Sequence, residues 1–333
     1  MAEPDGVTGG SSGEQPSPPD GTSKGPDAAF LSAILAFQKA ATGKNAEQAE
    51  AAAWDALRLA AERAENDPSP LMRLTRKAGE CEANGDWAGA EAAYREALSS
   101  LEAAEQPVLM VKAHVDLSRL FGLLGQWDKA SDCARVATAI ARRTDIPWVQ
   151  VLALRAEATC ALARSDNADA LRAATEAVEL HSTDPIFELS RAQVLVLRAR
   201  CFEEGGEIDA AERDLTAAKE DLFGPMSSPL FAGMQAAGAS WWATTARIIA
   251  RKGDLETAAE AWSSAVKLQR HVASLPQAAG PYTLEALASA LQFQGEALRA
   301  IGQPDEAEKA LAEARRIRSE LGLPEAKENR LGD

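Results

Sequence analysis

One pattern returns seven times along this chain, and it leaves few folds open. Its clearest copy is GDWAGAEAAYREAL at 85–98. GQWDKASDCARVAT stands at 125–138, SDNADALRAATEAV at 165–178 and GEIDAAERDLTAAK at 206–219. GDLETAAEAWSSAV follows at 253–266 and GQPDEAEKALAEAR at 302–315, with a weaker first copy, KNAEQAEAAAWDAL, at 44–57. The equivalent alanines are Ala49, Ala90, Ala130, Ala170, Ala211, Ala258 and Ala307, spaced 41, 40, 40, 41, 47 and 49 residues apart. Self-similarity at a period of roughly 20–50 residues is the mark of a stacked array, in which each unit buries its apolar face only against its neighbours.

Proline marks the same units independently. Pro26, Pro70, Pro107, Pro147, Pro185, Pro229 and Pro281 each stand ahead of the first helix of one unit. Proline suits the first helical position because its missing N–H would find no partner there anyway. The unit at 70–101 predicts a helix from Pro70 to about Asn84, ended by a left-handed turn at Gly85. Asp86 then caps a second helix and Trp87 packs over the turn. Ala90 and Ala97 are small enough for the two helices to approach closely, and Tyr94 and Leu98 fill the space between them.

The string Gly85-Asp86-Trp87…Ala90…Tyr94…Ala97-Leu98 resembles the core of the tetratricopeptide repeat, as does Gly253-Asp254-Leu255…Ala258…Trp262…Ala265-Val266. The resemblance covers 26–322 and implies an all-α, right-handed α-α superhelix of about seven helix–turn–helix repeats. The period exceeds the usual ~34 residues and is similar to that of the long-helix repeats of kinesin light chains and of several bacterial regulators. HEAT and armadillo arrays share the period but not this turn–alanine–aromatic spacing. The wider last gaps predict extended loops or lengthened helices around 220–241 and 270–283. These carry Phe223, Met226, Phe231, Met234, Trp241 and Trp242, which either bind a partner or pack on the adjacent repeat. The polar face of the last helix, with Glu308, Lys309, Glu313, Arg315, Arg316 and Glu320, is suited to end the stack.

Outside the array, residues 1–25 are rich in Gly, Ser, Pro and acidic side chains and are expected to be disordered; 323–333 reads as a polar tail. Gly9-Gly10-Ser11-Ser12-Gly13 matches a nucleophile-elbow pattern, but without the strand–turn–helix context that gives it meaning. The N-terminus has neither the basic nor the apolar region of a signal peptide, and the expected location is cytoplasmic. A formal charge of −15 argues against nucleic acid and anionic membrane as partners. Cys81, Cys133, Cys160 and Cys201 form no C-x-x-C pair; they read as buried small hydrophobes, although Cys160 and Cys201 hold the same position in neighbouring units and a redox pair between them is conceivable. His114, His181 and His271 fall in no metal-binding or catalytic spacing, so no metal, cofactor or enzymatic activity is expected.

The resemblance implies that the first helices of successive repeats line a concave face. On the alanine register this places Lys112, Arg119, Arg155, Arg200, Arg247 and Arg299 there, with Arg251 beside them and Glu82, Glu203 and Glu296 sharing the face. A mostly basic groove in an acidic protein suits an acidic peptide or a terminal carboxylate, which guanidinium grips with two hydrogen bonds. Internal Arg–Glu pairing between adjacent helices is the competing reading. The lysine-and-asparagine carboxylate clamp of chaperone-binding relatives lacks its asparagines here. The expected function is a non-catalytic adaptor that holds a protein segment or peptide; the alternative is a regulatory peptide sensor, and an enzyme ranks third.

Overall fold

The computed structural model describes residues 70–182, 188–223, 232–276 and 278–324. The first repeat around Ala49, the tail at 1–25, Pro26, Pro185, Met226, Pro229, Phe231 and the end of the chain from 325 lie outside the described residues. Among the described residues there are twelve helices and no strand. They are α1 (Pro70–Ala83), α2 (Trp87–Ala103), α3 (Pro107–Leu123), α4 (Trp127–Ala141), α5 (Pro147–Ala163) and α6 (Asn167–Ser182). These are followed by α7 (Glu188–Glu204), α8 (Ile208–Phe223), α9 (Ala232–Arg251), α10 (Leu255–Ser274), α11 (Pro281–Ala300) and α12 (Pro304–Glu320). Each helix packs on the next, so the described chain is six helix pairs stacked in sequence.

The turn inside each pair repeats to the atom. Gly85, Gly125, Gly206, Gly253 and Gly302 take φ from +70° to +87°, a region open to glycine without Cβ strain. The residue after each glycine closes the helix end by donating its N–H to the carbonyl five residues back: Asp86 to Cys81 at 2.8 Å, Gln126 to Phe121 at 2.8 Å, Glu207 to Phe202 at 2.8 Å. Ser165 occupies this left-handed place in the third described turn at φ +60°, and Asp166 still donates to Ala161 at 2.9 Å. Asp86 and Asp254 then cap the following helix, accepting from the N–H groups of Gly89 at 2.9 Å and Thr257 at 3.1 Å.

The alanine register marks where helices touch. Ala90, Ala130, Ala170, Ala211, Ala258 and Ala307 all have no solvent-exposed surface. Larger side chains such as Leu101, Leu120, Phe121, Leu154 and Trp262 fill the space between the close approaches. Pro70, Pro107, Pro147 and Pro281 are the first residues of their helices, where the missing donor costs nothing.

Part of the wider spacing near the C-terminus is lengthened helix. Helices α9, α10 and α11 have 20 residues each, against 14 to 17 in the others. The extra turns bring in aromatic rings that pack internally. Trp241 meets Phe223 edge-on at 5.6 Å and Trp242 at 5.0 Å, and its indole N–H donates to the Leu215 carbonyl at 2.7 Å. Trp262 stacks on Phe293 at 5.0 Å. All four cysteines are free thiols; Cys160 and Cys201 are buried, burial pushes Cys201 up to about 12, and the Cys160 sulfur lies 3.3 Å from the Ser118 hydroxyl.

Candidate functional site on the concave face

Side chains from the first helix of each pair meet one another across the stack, which identifies the inner face of the superhelix. The longest reach joins its two ends. The Tyr282 hydroxyl at the start of α11 donates to Glu82 Oε1 near the end of α1 at 2.6 Å. Tyr94 on α2 donates to the same oxygen at 3.2 Å. The Arg119 guanidinium of α3 lies over the Tyr282 ring, 4.1 Å from its centre. Burial pushes both phenols up, and the Glu82 carboxylate adds to this. The last described first helix therefore returns to the first, and the inner face is closed by a clasp of Glu82, Tyr94, Arg119 and Tyr282.

One stretch of this face is electrostatically satisfied. Glu203 on α7 is 1% exposed in its side chain and accepts from Arg247 Nε at 2.8 Å and from Arg251 Nε. Glu204 receives Arg247 Nη2 and lies 3.6 Å from Arg251 Nη2. The Arg247 guanidinium also faces the Phe293 ring at 5.7 Å. Two carboxylates of one helix are thus matched by two guanidiniums of a neighbouring repeat. A carboxylate buried this deeply needs that pairing, because an isolated buried charge costs several kcal/mol.

Two arginines have no such partners. Arg155 on α5 and Arg200 on α7 form no hydrogen bond or ion pair with any described residue. Arg155 is half-buried, and Arg200 is exposed to solvent although protein crowds around it. Desolvation lowers Arg155 to about 10, with the charge of Arg119 adding to the shift. Desolvation also lowers Arg200, reinforced by Arg247 and opposed by Glu204 and Glu203. Both remain cationic at neutral pH.

The remaining sequence candidates have other engagements. Lys112 donates to Asp116 Oδ2 at 2.6 Å, and Arg119 makes a longer contact to Asp116 Oδ1 at 3.4 Å. Arg299 is exposed and lies 3.8 Å from Glu308 on α12. Arg119, Arg155, Arg200, Arg247 and Arg251 therefore all stand on first helices, and Arg119, Arg247 and Arg251 are engaged internally. Sequence reasoning passed over Asp116, Glu204, Tyr94 and Tyr282 as members of the site. Asp116 was findable, since it stands four residues after Lys112 and three before Arg119 on one helix. Tyr282 was not, because its partner is 200 residues away.

Ionic groups elsewhere serve packing. Arg198 grips Asp214 with two bonds of 2.7 Å, and Arg318 binds Glu285, Ser289 and Gln292 between α11 and α12. Among the described residues no cluster of His, Cys, Asp and Glu could hold a metal ion, and no helix is long and apolar enough to cross a membrane.

Paired helices, glycine turns and the buried alanine register define a tetratricopeptide-like solenoid, and the chain has that fold. No family model matches the chain, and no curated protein matches its sequence. Solved structures match in fold. A Rap protein complexed with competence and sporulation factor matches with a TM-score of 0.60 at 12% identity, over 89% of this chain and 78% of that one. NprR in complex with its cognate peptide NprX matches with a TM-score of 0.54 at 12% identity, over 89% and 82% of the two chains. Aspartyl phosphate phosphatase F from Bacillus subtilis matches with a TM-score of 0.50 at 11% identity, over 92% and 98%.

Proposed function

We propose that this chain is a non-catalytic binding scaffold that holds an acidic protein segment or peptide against its concave face. The observation that carries the reading is the pair Arg155 and Arg200, two guanidiniums on first helices that form no hydrogen bond or ion pair with a described residue. At half-buried Arg155 an unmatched charge is unfavourable in the unliganded protein, and at both arginines an incoming anion would gain a charge-assisted hydrogen bond. Arg119 is the third contributor, since its one ionic contact is long and its side chain is 52% exposed. Lys112, Arg247, Arg251 and Arg299 belong to the same candidate set by position, but each already holds an internal partner. The chain's net charge of −15 disfavours nucleic acid and anionic membrane as partners.

A second reading, a sensor whose superhelix responds to a peptide, draws on two observations. A fold neighbour was solved with its cognate peptide. The Glu82–Tyr282 clasp is also a long-range contact that a change in superhelical pitch would break. The test of the main reading is capture of the native partner by wild type and by Arg119→Glu combined with Arg200→Glu, with circular dichroism as the folding control. Loss of capture with helicity intact is expected. A folded double variant that captures the same partner equally well removes the concave arginines from the binding surface.

A further inference from the structure

The four arginines that successive first helices turn inward are not equivalent. Arg119, Arg200 and Arg247 stand eleven residues before the register alanines Ala130, Ala211 and Ala258. In α5 that place is held by Thr159, and the arginine, Arg155, lies four residues earlier. Thr159 is exposed, and its hydroxyl is spent on the Arg155 carbonyl at 2.8 Å. The row of cations is therefore interrupted by a short neutral side chain at its middle. On either side of that interruption the unpartnered guanidiniums answer to different neighbours: Arg155 feels Arg119, and Arg200 feels Arg247, Glu203 and Glu204. Arg155 stands one helical turn before the level of Thr159 on α5, and Arg200 stands at that level on α7, so the two are separate points on successive first helices.

We propose that Arg155 and Arg200 are two distinct anion subsites, each taking one carboxylate of a single extended acidic peptide that crosses Thr159, and that Arg247 and Arg251 are wall and not ligand contacts. The proposal rests on the reading that the concave face is the binding face. Carboxylates fit better than a phosphoryl group. A phosphoryl dianion calls for several donors converging on one point. Here each subsite offers one uncommitted guanidinium, flanked by one whose donors are already shared with Asp116 or with Glu203 and Glu204. A polyanion such as nucleic acid fits less well, because two free cations within a net acidic protein supply little counterion release.

The proposal separates two kinds of arginine by two readouts at once. Arg155→Gln and Arg200→Gln remove charges that form no hydrogen bond or ion pair with a described residue and that repel a neighbouring arginine, so the melting temperature should stay level or rise. Arg247→Gln strips a partner from buried Glu203, so the melting temperature should fall. Binding is read by fluorescence anisotropy of fluorescein-labelled hexaglutamate, with hexaserine of the same length as control. Each of Arg155→Gln and Arg200→Gln should weaken hexaglutamate binding about tenfold, and binding should weaken further as salt rises. A hexaserine peptide carrying one phosphoserine should bind much less well than hexaglutamate.

Three results overturn the proposal. Wild type that does not prefer hexaglutamate to hexaserine has no such subsites. Glutamine variants that bind hexaglutamate as wild type does, or that lose as much thermal stability as Arg247→Gln, make Arg155 and Arg200 structural. A single phosphoserine that matches hexaglutamate and depends on only one of the two arginines replaces the two-point peptide site with a one-point phosphate site. Failure of the broader reading looks different. There the Arg119→Glu and Arg200→Glu double reversal keeps its native partner, whereas failure of the present proposal leaves that capture sensitive to reversal while Arg155→Gln changes nothing.

Discussion

Glu203 with Arg247 and Arg251, and Arg155 with Arg200, occupy the same inner face of the same solenoid and face opposite electrostatic situations. At the first group, α7 ends in two adjacent carboxylates, and α9 carries two arginines one turn apart, so every charge has a counterpart. At the second, α5 offers Thr159 and no acid at the level where Arg200 and Arg119 stand, and two guanidiniums are left over. The difference lies in which residue meets which across a repeat interface, not in the arginines themselves. It teaches that a basic residue at a groove position is left without an internal partner only where the neighbouring repeat supplies no acid.

The sharpest way to break this comparison is to remove a charge from each side. Arg247→Ala leaves Glu203 buried with one partner instead of two, and the expected loss is about 3 kcal/mol of unfolding free energy in urea or guanidinium denaturation. Arg200→Gln should move the same measurement by no more than about 0.5 kcal/mol. Equal losses would mean that the two regions are not different in kind.

Next in size are the helix contacts that hold both regions in register. Ala90 and Ala258 have no exposed surface, and an inserted isobutyl group must push two helices apart. Ala90→Leu and Ala258→Leu should each lower stability by roughly 1–3 kcal/mol, measured by denaturant midpoint. An unchanged midpoint at either site would show room beside that alanine.

The clasp contributes less but has a pH signature. Tyr282→Phe removes the hydroxyl that donates to Glu82 and should cost about 1 kcal/mol. Tyr282 and Tyr94 have folded pKa values raised above the ordinary phenol value, so the neutral form is favoured on folding. The stability they contribute is complete below about pH 10, the unfolded value, and is lost as pH rises toward the folded values. The slope above pH 10 should approach about 1.4 kcal/mol per pH unit for each phenol. Unfolding curves between about pH 9 and 11 for wild type and Tyr282→Phe check this, and the variant should fall away less steeply.

The smallest expected effect is a gain. Ser165 holds the left-handed turn that glycine holds in the other described repeats. Ser165→Gly should stabilise the chain by about 0.5 kcal/mol, because the Cβ strain at positive φ outweighs the added freedom of the unfolded chain. A melting temperature that falls would place a compensating contact on the serine side chain.

The repeat architecture was legible because it is written locally. A glycine that must turn left, an acid that caps the next helix and an alanine that lets two helices touch all lie within about ten residues of one another, at spacings the helix period dictates. The site was legible only in part. The alanine register puts Arg119, Arg155, Arg200, Arg247 and Arg251 on first helices, and the helix bounds agree with that placement. It did not distinguish paired from unpaired arginines, and it assigned Arg299 to the groove although its near partner is Glu308 on α12. The aromatic residues near 223–242 read equally as binding elements or as packing, and Phe223, Trp241 and Trp242 pack against one another.

What the sequence by itself determined is the unit: its two helices, its turn, its cap, and the residues each unit must bury to stand on its neighbours. What only the tertiary structure decided is who meets whom between units. The pairing of Glu203 with arginines more than forty residues away, the return of Tyr282 to Glu82 across 200 residues, and the isolation of Arg155 and Arg200 all depend on small rotations between stacked repeats. Those rotations accumulate along the array, and a side chain's distant neighbour is set by their sum, which no local spacing encodes.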